Sequence, residues 1–311
     1  MEKWCVAFCK VVYIHFYCCI QVRRVVLQYD STVPGPNGQP MQSVEILKLC
    51  PYIHTLLRPR FTITDTLRFD YETDEVPLPA LQHLEWWHYN DAERSGGINS
   101  LSAVLRGAPN ISYLFVGGVR SFSRLWLQKE TFLHLQTLRL GTINGLFLHQ
   151  IVSSWSLPSL TYIVLDSPLP DPGWGSIWNA FGRQLKAIEF GKNLRFYSHD
   201  RLSPCLNGCP GLEQLNYYLC FTAPAEHIQP HTSLTTVRLH VAVNDLLSSY
   251  NTDPAVWDLI DDHFKVLCGS DLPALRRIIL HGDWHSVLHH SRFISIRDKL
   301  LDTNKILEIS H

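Results

Sequence analysis

Ten times along the chain the same triplet recurs: an apolar residue, two others, an apolar residue, one other, an apolar residue. The clearest copies open at Leu81, Leu135, Leu160, Leu212 and Leu275, as in Leu135-Gln-Thr-Leu138-Arg-Leu140. Weaker copies open at Val22, Ile53, Ile111, Leu185 and Leu234, and successive openings lie 31, 28, 30, 24, 25, 25, 27, 22 and 41 residues apart. Self-similarity at this period marks stacked repeats, because one unit of roughly 27 residues cannot bury an apolar face alone while neighbours in register share a core. The last two apolar residues of each triplet are two apart, the spacing at which strand side chains return to one face. Each repeat should therefore supply one short strand, with the intervening residues on the opposite face.

Helix signals fall between the triplets. Asn99 to Arg106 is closed by Gly107 and Pro109, and Gln42 to Cys50 precedes Pro51. Gly145 to Trp155 precedes Pro158, Trp174 to Phe181 precedes Gly182, and Asp200 to Asn207 precedes Gly208 and Pro210. Asp253-Pro254 suits a cap and first helical position, and a helix from there to Cys268-Gly269 accounts for the 41-residue spacing. Strand and helix alternating in one sense force parallel strands joined by crossovers.

The expected fold is α/β: a curved leucine-rich-repeat solenoid of about ten irregular repeats, its parallel β-sheet concave, its short helices and loops convex. An ordinary α/β domain with regularly spaced parallel strands is the competing reading. Leu84, Leu138, Ile163, Ile188, Leu215 and Ile278 should be buried in successive rungs. The ninth repeat position holds Cys220 and Asn193 but also Tyr89, Val119, Ile143, Pro168 and Ala242, so the turns should be irregular. Thr66-Leu67-Arg68-Phe69 reads as an extra strand. Residues 1–40 hold an apolar segment, the first repeat and the linker Pro34-Gly-Pro-Asn-Gly-Gln-Pro40; residues 41–311 continue the solenoid, a single domain overall.

Lys plus Arg number 27 against 28 Asp plus Glu, net −1, so no basic surplus exists to drive binding to a nucleic-acid backbone. Nine cysteines, odd in number and without disulfide-module spacing, fit reduced thiols in cytoplasm or nucleus. Trp4 to Val22 is almost wholly apolar and long enough to span a bilayer, but Lys10 and His15 oppose insertion, and buried strand is the favoured reading over an anchor.

The motifs of catalysis each lack a required residue. Gly173-Trp-Gly175-Ser-Ile-Trp178 has tryptophan where a dinucleotide loop needs its third glycine, and no phosphate loop, nucleophile elbow or His-Glu-x-x-His pair occurs. Cys205-Leu-Asn-Gly-Cys209 has one residue too many for a zinc knuckle. In His281-Gly-Asp-Trp-His285-Ser-Val-Leu-His289-His290 the glycine and aspartate read as a turn, which splits the histidines. The expectation is a non-enzymatic chain without cofactor or metal.

The residues between the apolar positions are then the candidate contacts for a protein partner on the concave sheet. In the first half these are His83, Glu85, Trp87, Tyr113, Phe115 and Arg139, and in the second Tyr162, Asp166, Glu189, Asn216, Tyr218, Arg238, His240 and Arg277. Aromatics crowd the first group and Arg and His the second. Trp, Tyr and Arg are the side chains that dominate interface energetics.

The irregular repeats, the Leu-Pro-x-Leu-x-x-Leu/Ile block and its variant in Cys50-Pro-Tyr-Ile53 and Cys209-Pro-Gly-Leu212 resemble the fungal family of F-box-associated leucine-rich-repeat proteins. The resemblance runs from about Val22 to Ile309. It implies that the repeats hold a protein to be ubiquitylated, while an F-box docks the adaptor of a cullin-RING ubiquitin ligase. The F-box's Leu-Pro-x-Glu-like opening helix is not found before Val22. Two expectations follow: the substrate-recognition part of an F-box-type ligase subunit, or a stand-alone repeat scaffold or receptor fragment with no ligase link.

Overall fold

The structure, a computed structural model, describes residues 21–27, 47–60, 76–119, 129–169, 173–191, 194, 199–219, 222–240 and 254–310. The extra strand expected at Thr66–Phe69, the linker 34–40, residues 4–20 and five of the cysteines lie outside them. The chain forms two compact units, Met1–Leu160 and Thr161–His311. The fold is α/β, with eight α-helices among the described residues.

In the first unit β1 (Arg24–Val26), β2 (Thr55–Arg58), β3 (His83–Trp87) and β4 (Tyr113–Gly117) pair in sequence order, all parallel. Two-residue β5 (Glu130–Thr131) and β7 (Trp155–Ser156) form a separate parallel pair, while β6 (Thr137–Leu140) continues the main sheet beside β4. In the second unit β8 (Tyr162–Leu165), β9 (Ala187–Phe190), β10 (Gln214–Tyr218), β11 (Thr236–His240), β12 (Arg277–His281) and β13 (Ile306–Ser310) pair in the same way.

The triplets translate directly into this arrangement. Every one opens two residues before a strand, Val22 before Arg24 and Leu275 before Arg277 among them. The registers then align the middle apolar residues: Val25, Leu56, Leu84, Leu114 and Leu138 form one row, and Ile163, Ile188, Leu215, Val237 and Ile278 another. All are buried, most of them completely. Each such aliphatic side chain removed from water contributes about 2 kcal/mol before the entropy of ordering is subtracted. The residue that breaks the rule is Arg58, which occupies a core position opposite Trp86 and is 1 % exposed. Its guanidinium donates to the Ile98 carbonyl (3.0 Å) and Asn99 Oδ1 (2.9 Å) and lies over the Trp86 ring.

Helices return the chain from the end of one strand to the start of another, and several of them start at side-chain caps. In the first unit α1 (Asn90–Ser95) leads to α2 (Leu101–Gly107), where Ser100 Oγ accepts from the Ala103 N–H (3.3 Å) and donates to Glu93 Oε1 (2.6 Å). Asn144 Oδ1 accepts from the Phe147 N–H (2.7 Å) and starts α3 (Gly145–Ser154). The second unit carries α4 (Gly173–Phe181), α5 (Leu202–Gly208), α6 (Pro254–Cys268), α7 (His285–Leu288) and α8 (Ser291–Asp302). Asp200 Oδ1 accepts from the Leu202 and Ser203 N–H groups at the start of α5. As the Gly282-Asp283 turn suggested, the histidines are split: His281 ends β12, His285 opens α7, and His290 caps α8.

Inside the second unit α6 is tied to the sheet by His263, which is almost wholly buried. Its Nδ1 accepts from the Tyr217 hydroxyl (3.3 Å) and its Nε2 donates to the Thr222 carbonyl (3.1 Å). That pattern needs a neutral ring. Burial, the largest influence, pushes the imidazole down to a pKa of about 4. Cys205, Cys209 and Cys268 are free thiols. Among the described residues no helix is long and apolar enough to cross a membrane.

Candidate functional site

The residues between the apolar positions fall on the other side of each strand, and the two units use that side differently. In the first unit His83 and Tyr113, paired in register, stack at 4.0 Å with their planes 3° apart. His83 Nε2 also bonds Glu85 Oε1 (2.9 Å), and this contact, ahead of the opposing effect of burial, holds the Glu85 carboxyl below its usual range. Next along the row Phe115 meets the edge of Trp87 at 5.4 Å, with Arg139 over its ring at 5.9 Å and Arg60 over Trp87 at 5.5 Å.

Phe115 was expected to face solvent and is buried instead. The reason lies in two neighbours without side chains. A Cβ at Gly117 would stand 2.9 Å from the Phe115 ring and 3.1 Å from Trp87, and one at Gly141 would stand 3.3 Å from Phe115. Glycine at both places lets the ring lie down along the sheet, where Trp87 and Arg139 cover it. The first unit's aromatics thus pack mainly on one another.

In the second unit the equivalent side is polar. Glu189, Asn216 and Arg238 stand side by side on β9, β10 and β11. Tyr162 donates its hydroxyl to Glu189 Oε2 (2.7 Å), and Asn216 Nδ2 reaches the same oxygen at 3.4 Å. Burial first, and then this acceptor, pushes the Tyr162 phenol up. Tyr218, His240 and His281 form the next row on β10, β11 and β12, stacked at centroid separations of 4.8 and 4.9 Å. Burial and, after it, the neighbouring His281 lower the His240 pKa. Glu308 on β13 is held by Arg277, whose Nε and Nη2 donate to Oε1 and Oε2 at 2.8 Å each. Apart from Tyr218 and Arg277, these groups line an open depression of about 530 Å³, together with Ile279, Ile309 and Ser310.

The structure therefore brings Tyr162, Glu189, Asn216, Arg238 and His240 together around one depression, with Tyr218 stacked at its edge and Arg277 behind Glu308. It keeps His83, Glu85, Trp87, Tyr113 and Arg139 in the separate aromatic row. Asp166 and Asn216, expected at the surface, are buried like Phe115. Asp166 packs where Gly191 has no Cβ, which would lie 2.4 Å from its Oδ1. Asn216 is enclosed between its neighbours' larger side chains, and its Oδ1 accepts no hydrogen bond.

Glu308 and Ser310 were missed because β13 lacks the triplet's opening. The register puts Asn304, at φ 61°, where the other strands have an apolar residue. Lys305 follows, buried, with its ammonium donating to the Leu267 carbonyl at the end of α6. The alternation Ile306-Leu307-Glu308-Ile309 was the only signal for the strand. Among the described residues no group of three or more His, Cys, Asp or Glu is placed to hold a metal ion. No protein-family model matches the chain, and no curated protein matches it.

Proposed function

We propose that the chain is a leucine-rich-repeat solenoid that binds another protein through the sheet side opposite its leucine rungs, and that it is not an enzyme. One observation carries this reading: all ten triplets open two residues before a strand, and the strands of each unit pair parallel with their rungs aligned. Repeats built that way expose a row of side chains on adjacent strands about 4.8 Å apart, the geometry with which extended peptide surfaces are contacted. The second unit offers the more suitable row. Its side chains are half-buried, mixed in charge and held in fixed orientations, so a partner would meet a preorganised surface.

The cullin-RING link rests on the resemblance of the repeats alone. In that reading the bound protein is a ubiquitylation substrate and the compartment is cytoplasm or nucleus; in the second reading the same face serves a scaffold without a ligase.

The test uses the full chain as bait in extract from its own cells, in three forms: unaltered, Tyr218→Ala with Arg238→Gln, and Arg94→Ala on α1 as an off-face control. The expected outcome is a protein retained stoichiometrically by the unaltered and Arg94→Ala chains and lost from the double variant, whose melting temperature stays within a few degrees. Retention by all three would sink the assignment to this face. A cullin adaptor among the retained proteins, still bound by the double variant, would favour the ligase reading over the scaffold.

A further inference from the structure

The depression of the second unit contains one cation whose hydrogen-bonding capacity is almost unused. Arg238 carries five N–H donors in a planar fork. Among the described residues it makes one hydrogen bond, from Nη1 to the neutral Gln214 Oε1, at a long 3.4 Å. Among the described residues no carboxylate lies within ion-pair distance of it, although it is half-buried. The two acids of the depression are otherwise engaged. Glu308 is held through both oxygens by Arg277, and Glu189 accepts from Tyr162 and Asn216. Beside Arg238, two residues on along β11, stands His240, and next to that on β12 stands His281, at the rim of the same depression.

We infer that this depression binds a carboxylate of an acidic peptide segment, gripped by the Arg238 guanidinium with the imidazoles of His240 and His281 beside it. The inference rests on the protein-binding reading above and adds the partner's chemistry. A guanidinium with free donors matches a carboxylate's two oxygens, and charge-assisted bonds of this kind are about twice as strong as neutral ones. A basic segment would instead have to approach Glu189 past the like charge of Arg238.

The same geometry gives the site a direction of pH dependence. The ionisable groups around the imidazoles are Tyr162 on β8, Glu189 on β9, Tyr218 on β10, Arg238 on β11, Arg277 on β12 and Glu308 on β13. Arg277 offsets Glu308, and Arg238 offsets Glu189, so near neutrality the depression is close to uncharged. Each imidazole that protonates adds a positive charge. His240 does so later than an exposed histidine, because it is half-buried and its stacked neighbour repels a second proton. A peptide glutamate remains ionised down to about pH 4.5, so carboxylate binding should strengthen between about pH 7 and pH 5.

The experiment titrates the full chain with an acetylated, amidated octapeptide of alternating Glu and Ala, following the imidazole Cε1–H resonances of His240 and His281 by NMR. Matching peptides with Gln or Lys in place of Glu serve as comparisons. The expected result is saturable shifts at those two rings with the Glu peptide, roughly fivefold tighter at pH 5.5 than at pH 7.5, and affinity reduced on the order of tenfold by Arg238→Gln. Arg238→Lys should recover part of it, since charge is kept and the fork is lost.

Equal shifts with the Gln peptide, tighter binding of the Lys peptide, weakening on acidification, or no loss in Arg238→Gln would each overturn the inference. If the Glu peptide fails while Tyr218→Ala with Arg238→Gln still abolishes partner capture, the acidic assignment falls and the protein-binding face stands. If the peptide binds but capture ignores the face, the reverse holds.

Discussion

The two units build the same parallel ladder and finish its outward side in opposite ways. In the first, Phe115 lies flat beneath Trp87 and Arg139 in space left by Gly117 and Gly141, so large rings are consumed by one another. In the second, Glu189, Asn216 and Arg238 stand where the first unit has Glu85, Phe115 and Arg139, and small hydrogen bonds replace ring burial. An outward position on a strand is thus not a binding position by default. Whether it is free depends on the size of the residue one strand away, and glycine on the neighbour turns an exposed aromatic into part of the fold.

The sharpest way to break this contrast is truncation. Phe115→Ala should cost about 3 kcal/mol, because it empties a volume enclosed by Trp87 and Arg139 that the sheet beneath cannot fill. Tyr218→Ala, at a half-buried position whose ring stacks on His240, should cost under about 1 kcal/mol. Urea unfolding of both variants under one set of conditions would measure the difference. Equal losses would mean that both rows are structural, and the case for a free face in the second unit would weaken accordingly.

Each unit holds a buried histidine whose pKa burial lowers, His88 just after β3 and His263 on α6. His263 titrates near 4 in the folded chain and near 6.5 when unfolded, so the folded state binds fewer protons in between. Its stabilising effect is complete above about pH 6.5 and is lost progressively as the pH falls toward 4, a change of about 3 kcal/mol. Hydrogen exchange of the β10 and α6 amides should therefore accelerate on acidification from pH 6.5 to 4.5 after correction for intrinsic rates, and less so in His263→Gln. His263→Gln, which can keep one of the two hydrogen bonds, should be less stable at neutral pH and flatter in its pH response. The same acceleration in His263→Gln would remove His263 as the cause.

The strands were legible because they are encoded locally. Ten openings, each two residues ahead of its strand, needed only the alternation of apolar residues and the period of a rung. The helices at Gly145, Trp174 and Asp200 were readable for the same reason, from caps and stops a few residues apart. What was not legible depends on residues far apart in sequence. Arg58 takes a core place because Ile98 and Asn99, forty residues on, supply oxygens for it. Phe115 is buried because Gly141 follows directly on the next strand, and β13 escaped notice because Asn304-Lys305 replaces an apolar opening, its cost offset by the Leu267 carbonyl. Of the fourteen positions expected to meet a partner, the eleven not fully buried include the Arg and His that line the depression. Their clustering follows from strand register, which alternation along one strand does not contain.

The smallest expected effect bears on the stacked rings themselves. His83 on Tyr113 and His240 on His281 are both near-parallel pairs on adjacent strands, 4.0 and 4.9 Å apart. At pH 7.5 each pair should show a favourable coupling of roughly 0.5 kcal/mol in a double-mutant cycle to alanine, the usual worth of aromatic pairs beyond their burial. Acidification separates them. The His83 and Tyr113 pair has Glu85 bonded at its edge, so that coupling should hold at pH 5.5. In the second unit His240 stacks on another imidazole, which disfavours positive charge on it, so that coupling should shrink or change sign. An anion in the depression would restore it: the same cycle repeated with saturating Glu-Ala octapeptide should return a favourable coupling for His240 and His281 and leave His83 and Tyr113 untouched. If the second unit's coupling stays constant with pH, its imidazoles do not protonate together, and the distinction between a self-packed row and a charge-responsive one disappears.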